Sequence, residues 1–169
     1  MIMQRFFRFF RSWQWPFALA LAIGLGLVVA AVILQHTLHI AACPLCIAQR
    51  MLHLGVAAAA LMGLLLGRWR LPRLFWAFVL AAVASWGACV AAWQTYLQRF
   101  AVETKCSGAM AWWETLIDKA GEQVPWLFYA SGLCSEPGMK FFRLSLAEWS
   151  LVAFATLTLL GLFALLRQR

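Results

Sequence analysis

C-P-L-C-I-A-Q-R-M-L-H-L-G-V-A-A-A-A-L-M-G-L-L-L-G, Cys43 to Gly67, is the stretch that decides the fold. From Met51 to Gly67 it contains no Asp, Glu, Lys or Arg. Counted from Pro44 it is long enough to cross the hydrocarbon core of a bilayer as a helix, which takes about 20 residues. Arg50 then lies just inside one end. Working outward, three more runs have no charged residue: Pro16 to Leu34, Leu74 to Gln98 and Trp149 to Leu166. The whole chain agrees with them. Of its 169 residues 64% are hydrophobic and 12% charged, far from the balance of a soluble domain.

Alternation of period two is weak, so helices are expected and not the strands of a barrel. The expectation is an all-α integral membrane four-helix bundle, one membrane domain over residues 1–169. Its spans fall at about 15–34, 44–66, 74–95 and 147–166, with outer loops at 35–43 and 96–146. Turn signals fit that count at Gly67 through Pro72, at Ser131-Gly132 and at Glu136-Pro137-Gly138. The net charge of +8 does not point to nucleic acid. The basic residues sit in short clusters between apolar runs, with no basic helix face.

Those clusters orient the chain. Arg5, Arg8 and Arg11, then Arg68, Arg70 and Arg73, then Arg167 and Arg169 share one side. The long loop on the other side dilutes its basic residues with Glu103, Glu114, Asp118, Glu122 and Glu136, and Glu148 opens the last span. Both termini are therefore expected in the cytoplasm. I-A-A-C at Ile40 to Cys43 resembles a lipoprotein cleavage site, but the apolar run before it is too long for a signal core. It is read as an uncleaved helix. Within the long loop, Met110 to Ile117 is a short amphipathic stretch. Its tryptophans, Trp112 and Trp113, suit either the headgroup level or packing against helix ends.

On this map Cys43, Cys46, Cys106 and Cys134 all face the non-cytoplasmic side, where disulfides persist. Cys89 lies deep in the third span and reads as a small buried hydrophobe. Pro44 presets the first turn of a helix, which puts Cys43 at the cap position and Cys46 in the first turn. Free backbone N–H groups and the helix dipole stabilise a thiolate there. Arg50, four residues beyond Cys46, projects from the same face and adds a fixed positive charge. A charge at the hydrocarbon edge points to function, with a snorkelling arginine as the plain alternative. Zinc is not expected, because neither the cysteines nor His36, His39 and His53 form a ligand set. A bridge within C-x-x-C closes almost no loop and so stabilises little, which favours redox exchange over a staple. A non-enzymatic membrane interaction protein with structural disulfides is the alternative from another class.

C-P-L-C-I-A-Q-R, Cys43 to Arg50, resembles the C-x-x-C-x-x-x-R signature of the disulfide bond formation protein B (DsbB) family. The likeness extends to Gln35-His36 and to F-Y-A-S-G-L-C, Phe128 to Cys134. Four spans with two outer cysteine pairs carry it over nearly the whole chain. The resemblance implies a bacterial inner-membrane thiol:quinone oxidoreductase with redox-active bridges Cys43–Cys46 and Cys106–Cys134. Such an enzyme oxidises a periplasmic DsbA-like dithiol protein and passes the electrons to a membrane quinone, ubiquinone or menaquinone. Cys106 receives the partner's thiolate, the second pair then reduces the first, and Cys46 hands the electrons on beside Arg50, which polarises a quinone carbonyl. A paralogue serving a dedicated dithiol partner is the neighbouring alternative. Where some relatives carry a histidine near the outer end of the third helix, this chain has Gln94, Thr95, Tyr96 and Gln98. Ala48-Gln49 likewise stands where relatives carry an aromatic and an acidic residue.

Overall fold

The computed structural model describes residues 12–100, 112–130, 132 and 140–167. Cys106, Cys134, Arg5, Arg8, Arg11, Arg169, Glu103 and the turn residues Ser131 and Glu136 to Gly138 lie outside the described residues. In chain order the elements are α1 (Trp15–Leu38), α2 (Pro44–Leu66), α3 (Arg70–Phe100), α4 (Trp112–Gln123), α5 (Pro125–Phe128), β1 (Lys140–Phe141), β2 (Leu144–Ser145) and α6 (Leu146–Leu166). Helices α1, α2, α3 and α6 are each long and apolar enough to cross a membrane. The chain is an all-α membrane bundle.

Local chemistry explains where the long helices start and stop. Pro16 and Pro44 sit in the first turns of α1 and α2, where a missing N–H costs nothing. Helix α6 opens on a capping box: Ser145 Oγ accepts from Glu148 N–H at 3.3 Å, and Glu148 Oε2 accepts from Ser145 N–H at 2.7 Å. Helix α1 ends at His39 in the left-handed region, φ 51°. Two helices run further than the apolar runs suggested. Helix α1 continues past Leu34 through Gln35, His36 and Thr37, and α3 extends from Arg70 to Phe100. Polar side chains that reach the headgroup level are solvated there and do not interrupt the backbone ladder. Pro72 likewise falls in the first turn of α3 and not in the connection, which narrows to Gly67 through Trp69.

The core combines a few large side chains, Phe17, Leu80, Phe154 and Leu157, with a stripe of small ones. Ala77, Ala81, Ala84, Gly87 and Ala91 form one buried stripe on α3, facing α6. A Cβ added at Gly161 of α6 would lie 2.8 Å from Ala81 Cβ and 2.9 Å from its Cα, so the two backbones touch through the glycine. Trp86, Trp93, Phe75 and Phe78 of α3 point away from the core instead. In lipid an outward tryptophan costs nothing, while close backbone approach gains dispersion energy. Cys89 follows this inversion and corrects the expectation of burial: it is exposed on the outer face of α3. Among apolar residues in a span, burial follows the helix face and not hydrophobicity.

The four helix ends on one side are the end of α1, the start of α2, the end of α3 and the start of α6. A two-residue turn, Phe142 and Arg143 at φ 50° and 67°, joins β1 to β2 there and feeds the chain into the Ser145 cap. At the opposite end the Arg73 guanidinium lies 5.3 Å from the Trp13 ring centre, and Arg167 lies 5.8 Å from that of Phe163.

Candidate redox site

Cys43 is the residue at which α2 begins. Its backbone is extended, φ −86° and ψ 160°, and its Sγ accepts the N–H of Cys46 at 3.2 Å. The sulfur therefore occupies the place of a capping oxygen, within the positive end of the helix dipole. Cys46 follows in the first turn, its Sγ 2.7 Å from Cys43 Sγ. Cys43 is buried and Cys46 half-buried. The expected thiol pair at a helix start is thus in place, close enough to bridge.

Arg50 lies on the same helix, 7% exposed. Its positive charge acts on both Cys46 and Cys43. It also ties three elements together. Nη1 donates to Leu127 O of α5 at 3.0 Å, and Nη2 donates to Ala31 O of α1 at 3.4 Å. A guanidinium has five N–H donors in a fixed fork, so these two bonds orient it without exhausting it. A second bond pins α5 from the other side: the His36 Nε2 atom pairs with Trp126 O at 3.0 Å. Gly132 N–H donates to Ala42 O at 2.9 Å, and a Cβ at Gly132 would lie 2.5 Å from Ala41 O. Only glycine allows that approach. It docks the outer loop one residue before Cys43, at a point two residues before Cys134 in sequence.

Trp113 of α4 packs against Cys43 and Leu45 and against Ala42, Ile47 and Ile117. Of the two roles open to the paired tryptophans, Trp113 takes packing against helix ends. Phe128 of α5 joins it against the Ala42, Ile47 and Ile117 cluster.

The sequence names Gln49, His53 and Gln94, but not the two sets of contacts that the structure gives them. Gln94 of α3 is 1% exposed and donates through Nε2 to Cys43 Sγ at 3.2 Å and to Cys46 Sγ at 3.1 Å. Its Oε1 accepts from Gln49 Nε2 of α2 at 2.6 Å. Deeper on α2, His53 is buried, stacks on Phe154 of α6 at 3.9 Å and 5°, and pairs through Nε2 with Ser150 Oγ at 3.3 Å. Its Nδ1 has no hydrogen-bond partner among the described residues. The available signal was the presence of Gln49, His53 and Gln94 within otherwise apolar spans, where polar side chains face the interior. No group of three or more metal-ligating side chains occurs among the described residues.

The family model described as "Disulfide bond formation protein DsbB" covers residues 13–164. The chain belongs to the DsbB family. It is 36% identical over 145 residues to "Disulfide bond formation protein B" of Dechloromonas aromatica, covering 84% of this chain and 86% of that one. The protein of the same name from Aromatoleum aromaticum is 34% identical over 134 residues, covering 79% and 78%. The one from Marinobacter nauticus is 28% identical over 161 residues, covering 92% and 93%. Membership in the DsbB family assigns this multi-pass membrane protein to disulfide bond formation, an oxidoreductase activity.

Proposed function

We propose that the chain oxidises a DsbA-like periplasmic dithiol protein and passes the electron pair to a membrane quinone, ubiquinone or menaquinone. In this reading residues 1–169 form one inner-membrane domain, both termini are cytoplasmic, and both cysteine pairs face the periplasm. The observation that carries it is the thiol pair at the start of α2, sulfurs 2.7 Å apart, beside a buried guanidinium. A purely structural cross-link needs no buried cation, whereas exchange proceeds through a thiolate that one stabilises.

The partner's thiolate attacks Cys106 of a Cys106–Cys134 bridge, breaking that S–S bond and forming a mixed disulfide. The partner's second thiolate resolves it. The partner leaves with a new disulfide, and Cys106 and Cys134 hold the two electrons and two protons as thiols. Exchange with a Cys43–Cys46 bridge then moves the same electrons and protons to the start of α2. The docking of Gly132 on Ala42 supports this order, because it joins the loop to the chain beside Cys43.

The donor set fits a quinone: Arg50 is buried at a helix mouth with N–H groups beyond the two that bind Leu127 O and Ala31 O. Arg50 would hold a quinone carbonyl, with Cys46 as the neighbouring sulfur. A bound quinone supplies the two-electron sink, taking up two electrons and two protons. Arg50 favours the thiolate on Cys46, and Trp113 packs against the cluster that holds the buried Cys43.

The test is turnover of a reduced DsbA-like protein by the purified chain with a soluble quinone analogue. Catalytic oxidation that Cys46→Ser stops supports the reading. Turnover that persists in Cys46→Ser, with only the melting temperature lowered, means that the bridges are staples.

A further inference from the structure

Gln94 reaches the sulfur pair from a different helix than the one that carries it, and with a neutral group. Its Nε2 lies 3.2 Å from Cys43 Sγ and 3.1 Å from Cys46 Sγ, so one amide group serves both sulfurs. Which end of an amide faces a sulfur depends on what holds the other end. Here Gln49 Nε2 donates to Gln94 Oε1 at 2.6 Å. Were Gln94 alone turned over, two NH2 groups would face each other and its carbonyl oxygen would be unable to stabilise a thiolate. With Gln49 presenting its NH2 to Oε1, the donor end of Gln94 faces the sulfurs. Both amides are buried, Gln94 at 1% exposed and Gln49 at 5%, so neither bond is exchanged for water.

We propose that Gln94, locked by Gln49, is a thiolate clamp: a neutral donor bridging both sulfurs that stabilises negative charge on either one. It rests on the reading of Cys43 and Cys46 as a redox pair. Arg50 and Gln94 divide the work. Arg50 supplies long-range charge from α2 itself, with its fork already turned toward Leu127 O and Ala31 O. Gln94 supplies the direct N–H bonds. Because the donor is shared, charge can pass between Cys43 and Cys46 without a side chain rearranging. Gln94 acts on the reacting atoms; Gln49 is a positioning residue acting through it.

The experiment measures alkylation of Cys43 and Cys46 by iodoacetamide against pH, in the full-length reduced chain in detergent, with each site quantified by mass spectrometry. Gln94→Met keeps the side-chain volume and removes both N–H donors. Its alkylation midpoint is expected to rise by about one pH unit at both cysteines, the scale on which loss of a hydrogen bond to the charged form moves a buried group. Since Gln94→Met also strands the Gln49 amide, the double variant Gln49→Leu/Gln94→Met removes both polar groups and preserves folding. It is expected to show the same rise. Gln49→Leu alone, which frees the Gln94 amide to turn, is expected to show a smaller rise in the same direction. Profiles that coincide with wild type in the folded double variant overturn the proposal, and so does a shift confined to one sulfur. Dithiol turnover of the wild type reports separately on the redox reading. If turnover is absent while the profiles shift, the clamp stands and the function is wrong.

Discussion

Around Phe17 and Phe154 the helices close on Ala20, Ala60, Ala84 and Gly87, a cluster of hydrophobic and small residues. At the sulfur end of the same α2 and α3, the interior is Gln49, Arg50 and Gln94, each bonded to a named partner. Both regions are buried to a similar degree, yet their chemistry is opposite. Apolar close packing is enough to hold helices together in lipid. Buried polar groups are not needed for that, and each one carries a desolvation cost unless satisfied. Their concentration around the sulfurs is what the redox chemistry proposed there would need. His53, stacked on Phe154 and bonded to Ser150, stands at the border between the two regimes.

The sharpest way to break this division is to alter one atom or one volume in each region. Cys46→Ser replaces a sulfur by an oxygen of similar shape. Turnover of a reduced dithiol partner is expected to fall about a thousandfold or more, as when a nucleophile is lost. Thermal stability should hardly move. Gly161→Val does the reverse. The new side chain would meet the Ala81 backbone, and α3 and α6 must separate. Overpacking of that kind is expected to cost about 3 kcal/mol, read as loss of the folded, monodisperse fraction in detergent. In whatever fraction folds, the alkylation profile of Cys43 and Cys46 should match wild type. A variant of Gly161 that changed sulfur reactivity without unfolding would show that the two regions are not separable.

Arg50→Ala falls between these extremes, because Arg50 belongs to both regimes. It is expected to raise the apparent KM for quinone about tenfold, equivalent to roughly 1.4 kcal/mol of lost binding. Loss of its bonds to Leu127 O and Ala31 O should also loosen α5 over the site. Amide hydrogen exchange in residues 125–128 would show that directly. An unchanged KM would remove Arg50 from quinone binding and leave it as a tie between elements.

The sequence carried most of this architecture because lipid imposes simple rules. An uncharged run of sufficient length has one structural solution, and the pattern Cys43-Pro44 before Cys46 marks a helix start by stereochemistry alone. What it did not reveal depends on which helix faces lie against each other. Nothing along the chain joins Gln49 to Gln94, or His53 to Phe154, until α2 meets α3 and α6. Cys89 was misjudged for a related reason. In a span the solvent is itself apolar, so hydrophobicity does not distinguish the inner face from the outer. The extensions of α1 and α3 went unseen because span boundaries track charge and polarity, whereas helix boundaries track breakers such as the left-handed His39.

The smallest expected effect lies at the start of α6. Not every polar cluster at the sulfur end needs to serve chemistry. Ser145 and Glu148 cap α6 there, and Arg99 Nε donates to Glu148 Oε1 at 3.0 Å. That group is satisfied entirely within itself and makes no bond to either sulfur among the described residues. Ser145→Ala removes the oxygen that accepts the Glu148 N–H and leaves the Arg99 pair intact. A cap of this kind contributes about 1 kcal/mol, and in a chain of this size that corresponds to roughly 2–4 °C in melting temperature. The alkylation profile of Cys43 and Cys46 should not shift at all. A shifted profile would mean that the cap of α6 reaches the thiols through the end of α3. The line between structure and chemistry would then lie beyond the amide pair, and the whole outer end would have to be treated as one site.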